Sequence, residues 1–327
     1  VRTSSAHDLP LFLPLLDHLG SSAAVADGDW RGWRVSRVAG AGNNLLYRAT
    51  SAVYDLAIKF TIRDFRNRAG REYDALLALQ QAGLAIAPQP LWLDRDRYAQ
   101  PVVVQSWLEG VVLAAPPNGD GEWQRLVDHY LAIHMLAEAN SSSVLLPAVL
   151  NMDSVADGLD RVRQQLAYIP EPEQPAELHD LLRNVEAARL PNWPAPPLAL
   201  CRNDPNTLNF VRRPNAWGSV DWENAGWGDP AFEIADLITH PAYVAVASER
   251  WEWQIDAYCA QCADSGAALR MRVYQRLMLV WWVARLARTL YEVPRGGDQR
   301  LIIRPPGWLD DMRAKYAGYL ELARAAE

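Results

Sequence analysis

The chain has 327 residues, half of them hydrophobic and 22% charged, with a formal net charge of −7. At roughly 150 residues per domain, that length predicts two domains or one domain with two lobes, and the composition excludes long disorder. A net acidic chain without a run of lysines or arginines excludes a basic nucleic-acid footprint and an anionic-membrane patch.

The first residues imitate a signal peptide: Arg2, the apolar LPLFLPLL, then SSAAVA. Asp8 precedes the apolar run, two prolines interrupt it, and Asp17 and His18 follow before any cleavage point, so the run reads as part of an N-terminal extension over residues 1–28. Strands are expected at Trp33 to Val38, LLYRATS and DLAIKF, with the glycine turn AGAGNN after the first. DFRNRAGREYDALLALQQAG has helical spacing, with Tyr73, Leu76, Leu77 and Gln80 on one side and Gly83 as a stop. After Pro88 and Pro90, PLWLDR and PVVVQSWLEG read as two more short strands. The order strand, turn, two strands, helix, two strands predicts a small antiparallel sheet with one helix across it.

Beyond Gly110 the pattern changes. EWQRLVDHYLAIHMLAEA is an amphipathic helix with Trp123, Leu126, Val127, Tyr130 and His134 along one face, and helices then alternate with proline-rich loops. The exception is LALCRNDPNTLNFVRRPNAWGSVDWENAG, where two short apolar strands flank RPNAWG and predict a hairpin. From Pro230 on, the chain reads as helices rich in leucine and tryptophan. The lobes are therefore residues 1–104 and 111–327, joined by a hinge at 105–110. No apolar run reaches the roughly 18 residues of a membrane span. The three cysteines, Cys201, Cys259 and Cys262, lack a second pair to complete a zinc site. A soluble protein of the reducing cytoplasm is the expectation.

The hairpin carries the chemistry. Asp204 and Asn209 have D-x-x-x-x-N spacing, and Asp221 ends the following strand. Phosphoryl transfer needs a carboxylate to orient an attacking hydroxyl and accept its proton, and an amide oxygen with a second carboxylate to hold Mg²⁺ against the β- and γ-phosphates. The same residues also read as a turn and a strand cap. Upstream, Lys59 ends the strand A-I-K-F and Glu72 follows thirteen residues later in the predicted helix, a pair suited to gripping phosphates but also compatible with an edge lysine. The turn containing Gly40 and Gly42 lets backbone N–H groups approach phosphates. What favours the functional reading of each is their order: glycine turn, strand lysine, helix glutamate, hinge, D-x-x-x-x-N, strand aspartate.

These blocks, AGAGNNLLYRA, AIKF, ALCRNDPNTLNFV and VDWENAGWGDPAFEIADL, resemble those of the aminoglycoside phosphotransferase and choline kinase superfamily over roughly Val35 to His240. The resemblance implies an α+β, bilobal protein-kinase-like fold: a small antiparallel sheet as N-lobe and a mainly helical C-lobe with a catalytic hairpin. It implies an enzyme that uses ATP or GTP with Mg²⁺ to phosphorylate a hydroxyl of an amino sugar, an amino alcohol such as choline, or a related metabolite. Asp204 then resembles the catalytic aspartate, Asn209 and Asp221 the magnesium ligands, and Lys59 with Glu72 the phosphate-gripping pair. Gly40, Gly42 and Asn44 resemble the nucleotide loop, and Gln105, Ser106, Trp107 and Leu108 the adenine-contacting hinge. One position departs: Arg202 stands where the family usually has histidine, with a brace through Glu223 as one account of it. An inactive, nucleotide-binding regulatory relative is the alternative function.

Acceptor contacts are expected from Trp222, Glu223 and Trp227, which flank the metal aspartate, and from Glu233 and Asp236, an i, i+3 pair that is also compatible with an ordinary solvated helix face. Indole faces attract cations. Trp251, Trp253, Trp281 and Trp282 suit core filling better, and His134 suits a satisfied core histidine better than a catalytic one. Asp229 is expected to tie down its loop.

Overall fold

The computed structural model describes residues 9–21, 27–38, 44–214, 216–297, 300–301 and 303–326. The glycine turn at Gly40 and Gly42 lies outside the described residues.

The apolar run near the N-terminus is a helix, α1 (Leu9–Gly20), with Leu15, Leu16 and Leu19 buried against the sheet. Burying each leucine is worth about 1.5–3 kcal/mol, which offsets the cost of Pro14 inside the helix. Within the 1–28 segment, α1 thus contributes to the sheet's own core. Strands β1 (Gly28–Trp30), β2 (Trp33–Arg37), β3 (Leu45–Thr50) and β4 (Asp55–Phe60) form an antiparallel meander, with α2 (Arg68–Gln81) following. β5 (Pro90–Asp94) and β6 (Val102–Ser106) complete a six-stranded sheet in the order β1-β2-β3-β4-β6-β5.

Side chains alternate across a strand. On β4, Leu56, Ile58 and Phe60 face α1, together with Val102 and Val104 of β6. Ala57 and Lys59 therefore face the other way, in register with Gln105 and Val103. That second face receives α2. The buried face of α2 is Glu72, Ala75, Leu76 and Leu79, while Tyr73, Leu77 and Gln80 lie wholly or partly outside it. This corrects the face expected from periodicity: the helix is turned so that Glu72 meets Lys59.

Gln105 and Ser106 are the last residues of β6, so the connection onward consists of 107–110. It leads into β7 (Val111–Val112), which pairs with β9 (Phe210–Arg212), and β9 pairs with β10 (Gly218–Ser219) as the expected hairpin. Between them come α3 (Asp120–His134), α4 (Val155–Leu166), α5 (Ala176–Ala187) and β8 (Ala199–Cys201). β8 pairs with β11 (Gly226–Gly228), which leads into the almost fully buried α6 (Pro230–Thr239). Asp229 caps α6 by accepting from the Ala231 N–H at 2.9 Å, with Pro230 at the first helical position. It also takes two bonds from Arg270 and one from Tyr274, so it ties down its loop as the sequence suggested.

The remaining helices are α7 (Ser248–Cys259), α8 (Ala267–Glu292) and α9 (Trp308–Ala325). α8 is the central post of the helical part, packed by α4, α6 and α9. Trp251 meets Trp123 edge-on at 5.3 Å, and Trp282 stacks on Tyr319 at 5.6 Å, so these tryptophans do fill the space between helices. No helix among the described residues is long and apolar enough to cross a membrane.

Candidate active site

The site forms where the lysine face of the sheet meets the loops around the hairpin. Lys59 Nζ lies 2.7 Å from Glu72 of α2, in contact with Asp221 just past β10, and 3.3 Å from Glu223. Glu223 is held in turn by Arg68, one helical turn before Glu72, and by the Asn44 amide at 2.6 Å. Asn44 also accepts the Ile62 N–H at 3.3 Å. Gln105 donates to the second oxygen of Glu72 at 3.3 Å. The pair expected from A-I-K-F and the helix glutamate is therefore formed, inside a larger cluster.

Three carboxylates crowd one ammonium here. Burial pulls Lys59 down, but Asp221, Glu72 and Glu223 more than offset it and leave the ammonium well above its usual range. Burial pushes Glu72 up to about 7 despite Lys59. Asp221 rises to about 6, through burial and the neighbouring charges of Glu223 and Asp204 against the pull of Lys59. For Glu223, burial is outweighed by Lys59, Arg68 and the Asn44 hydrogen bond, and it is lowered.

The catalytic-loop candidate sits across from this cluster. After β8 the chain turns through Asn203 in the left-handed region (φ 53°), a conformation asparagine tolerates better than most residues. Asn206 then accepts the Leu208 N–H at 3.1 Å to shape the turn. Asp204 is partly exposed at this turn; burial pushes it up and Arg202 partly offsets the shift. Asn209 donates to the Asp204 carbonyl at 3.5 Å, which leaves its amide oxygen available. Asp221 is also left-handed (φ 62°), a strained state for an aspartate that the surrounding contacts must hold. The structure thus brings Lys59, Glu72 and Asp221 into contact, with Asp204 close enough to act on Asp221 and Asn209 bonded to the Asp204 carbonyl.

That donor set fits a divalent cation. Asp221 gives one oxygen to Lys59 and is still pushed up, by burial first and then by Glu223 and Asp204, and hard oxygen donors such as these are what Mg²⁺ takes. Glu72, Asp221 and Glu223 present oxygens within 4.8 Å of one another, with the Lys59 ammonium among them. His134, Cys201 and Glu233 are equally close, but there Glu233 already serves hydrogen bonds.

The other expected contacts fall in different places. Ser106 exchanges hydrogen bonds with Gln89, Trp107 donates its N–H to the Asp55 carbonyl and carries the Arg48 guanidinium at 4.5 Å over its ring, and Leu108 packs over Gly218. Trp222 and Trp227 are corrections: both are buried in a cluster with Leu76, Leu79, Ile133 and Leu200, and the Trp222 indole N–H is spent on the Ser219 carbonyl. Neither indole face is open to an acceptor. Glu223 is committed to Arg68, Lys59 and Asn44, and among the described residues it makes no brace to Arg202.

Glu233 has a different task from the expected one. One oxygen accepts the backbone N–H groups of Arg202 (2.7 Å) and Asn203 (2.8 Å), and the other accepts from His134 Nε2 at 2.7 Å. His134 takes the Tyr258 hydroxyl on Nδ1 at 2.8 Å. Burial raises Glu233, but these donors win and hold it below the usual carboxylate range. Asp236 is buried beside Asp204 and Glu233 and is pushed well up by burial and by both charges. The sequence reading passed over Arg68; its i, i+4 spacing to Glu72 was the available signal.

Solved structures share this architecture. A choline/ethanolamine kinase family protein from Mesorhizobium loti is 21% identical, covers 95% of this chain and 99% of its own, with a TM-score of 0.62. A spectinomycin phosphotransferase, solved with ADP and spectinomycin, is 12% identical with 99% of both chains covered and a TM-score of 0.62. A choline kinase from Streptococcus pneumoniae is 13% identical, covers 97% and 100%, and has a TM-score of 0.58. The protein-kinase-like α+β fold is thereby shown. A comparison with curated proteins finds no match. A family model described as the phosphotransferase enzyme family matches residues 35–276, almost three quarters of the sequence, and the chain belongs to that family.

Proposed function

We propose that the protein transfers the γ-phosphoryl group of ATP to a hydroxyl of a small acceptor: an amino sugar, an amino alcohol or a related metabolite. The observation that carries this reading is the contact of Lys59 with both Glu72 and Asp221, with Asp204 close enough for its charge to act on Asp221. Solved relatives with ADP bound, such as the spectinomycin enzyme, support the nucleotide. Residues 1–104 and 111–327 act as the two lobes around it.

Lys59, oriented by Glu72, grips the phosphates, and Asn44 with the backbone of 105–108 shapes the nucleotide side. Asn209 and Asp221 would hold Mg²⁺, which when bound supplies positive charge against the β- and γ-phosphates. Asp204 orients the acceptor hydroxyl and takes its proton as the oxygen attacks the γ-phosphorus and the bond to the β–γ bridging oxygen breaks. Its raised affinity for a proton suits a base better than a surface aspartate would. Positioning and charge complementarity supply most of the rate.

The test is an ADP-release screen with MgATP over amino sugars, amino alcohols, sugars and nucleosides. One class should release ADP, and Asp204→Ala should abolish that release while nucleotide binding persists. Near-normal turnover by Asp204→Ala would discard the assignment, and nucleotide binding without turnover on any acceptor would favour a regulatory binding module.

A further inference from the structure

Arg202 is fully buried two residues before Asp204, and its contacts reach three separate segments. Its backbone N–H is held by Glu233 of α6 at 2.7 Å. Its guanidinium lies 4.5 Å over the ring of Phe210, the residue after Asn209. Its Nη1 donates to the carbonyl of Val220, the residue before Asp221, at 3.3 Å. Among the described residues it forms no ion pair, and its Nε and Nη2 meet no hydrogen-bond partner. The charged and titratable groups around it are His129 and Tyr130 of α3, Glu233, Asp236 and His240 at α6, Tyr243, and Asp204 itself. A buried charge with so few direct partners is costly, and an apolar side chain of similar size would be cheaper for the fold alone.

We infer that Arg202 is a positioning residue that fixes the spacing between the turn carrying Asp204 and the segments carrying Asn209 and Asp221, and so sets how tightly a divalent cation is held with the nucleotide. The guanidinium plane does this with one face on Phe210 while an edge reaches the Val220 carbonyl. Hydrogen bonds that orient groups around a metal site are worth about 10–100-fold in metal affinity or activity when removed. The inference rests on the proposed roles of Asn209, Asp221 and Asp204.

The experiment compares wild type with Arg202→Met, Arg202→Lys and Phe210→Leu. Mn²⁺ binding in the presence of ADP is read from the free-Mn²⁺ paramagnetic resonance signal, alongside metal-free ADP affinity and the kcat and KM for the acceptor found by the screen. Arg202→Met should weaken Mn²⁺ binding about tenfold and lower kcat by about 10–100-fold, with metal-free ADP affinity and acceptor KM unchanged. Arg202→Lys, which keeps a donor for Val220, should recover most of the Mn²⁺ binding. Phe210→Leu, which removes only the platform, should weaken it about threefold and serves where Arg202→Met does not fold. Wild-type Mn²⁺ affinity in a folded Arg202→Met, or in Phe210→Leu if the former does not fold, overturns the inference. An active Asp204→Ala, or a wild type that binds no Mn²⁺ with ADP, would instead bring down the reading beneath it.

Discussion

Two carboxylate clusters flank Asp204, and they are built on opposite terms. Around Lys59, the carboxylates of Glu72, Asp221 and Glu223 share one ammonium and the Arg68 guanidinium, and two of the three are pushed up to about 7 and about 6. Around Glu233, one carboxylate meets two backbone N–H groups and an imidazole, and is lowered. Glu72, Glu223 and Glu233 are all buried, so burial alone does not separate the two sets. A carboxylate whose lone pairs are met by donors is part of the frame; on the proposed function, the three carboxylates around one ammonium are the set that would take a cation.

If the Lys59 cluster is the binding half of this pair, Lys59→Met should have the largest effect. Turnover should fall about 10²–10³-fold, as when one preorganised transition-state donor is removed. The nucleotide-free protein should also lose about 3–5 kcal/mol in denaturant unfolding, because the buried carboxylates lose their counter-ion. Turnover within threefold of wild type would erase the distinction.

The Glu233 half should behave as scaffold. Glu233→Ala strands two backbone donors and His134 in the interior, at an expected cost of about 3–5 kcal/mol. Glu233→Gln keeps an acceptor for the two N–H groups and should cost about 1–2 kcal/mol. Equal losses for the two variants would mean that charge rather than hydrogen bonding does the holding. The same pair sharpens the comparison by pH. Because Glu233 is lowered in the folded chain, the unfolded chain binds that proton first as pH falls. The stability advantage of wild type over Glu233→Gln should be complete above the ordinary glutamate value of about 4.3 and shrink below it. An advantage that grew on acidification would reverse the assigned shift.

The smallest effect is expected at Trp222. Trp222→Phe should cost about 1–3 kcal/mol as a core truncation and leave acceptor KM within about twofold. A several-fold rise in KM at unchanged stability would restore an aromatic cage at this position.

The contrast between the clusters also marks what the sequence could disclose. Lys59, Asp204, Asn209 and Asp221 could be singled out because each sits near a strand end or a turn, and Glu72 because it follows Lys59 by thirteen residues in a predicted helix; their order is informative. The strands of the meander and the hairpin followed from alternation and turn residues. The orientation of α2 was not legible: apolar spacing pointed to Tyr73, Leu77 and Gln80, but an ion pair made thirteen residues away turned the helix toward Glu72. Trp222 and Trp227 misled because a tryptophan near a candidate metal ligand looks the same in sequence whether its ring faces a pocket or the interior. Arg202 and Glu223 were set together on charge alone, whereas packing brought Glu223 to Arg68 and Glu233 to the Arg202 backbone. The apolar run of α1 reads in sequence only as part of an N-terminal extension, and the sheet that buries it explains why it is helical.

The central claim is that Asp204 serves phosphoryl transfer from nucleotide to hydroxyl. Its most direct test follows the γ-phosphate label of ATP into the acceptor, comparing wild type with Asp204→Asn at equal nucleotide occupancy. Label should accumulate on the acceptor hydroxyl with wild type and fall by at least about 10²-fold with the variant, the scale on which a positioned base contributes. Equal labelling by both proteins, or label released only as inorganic phosphate, would contradict the account.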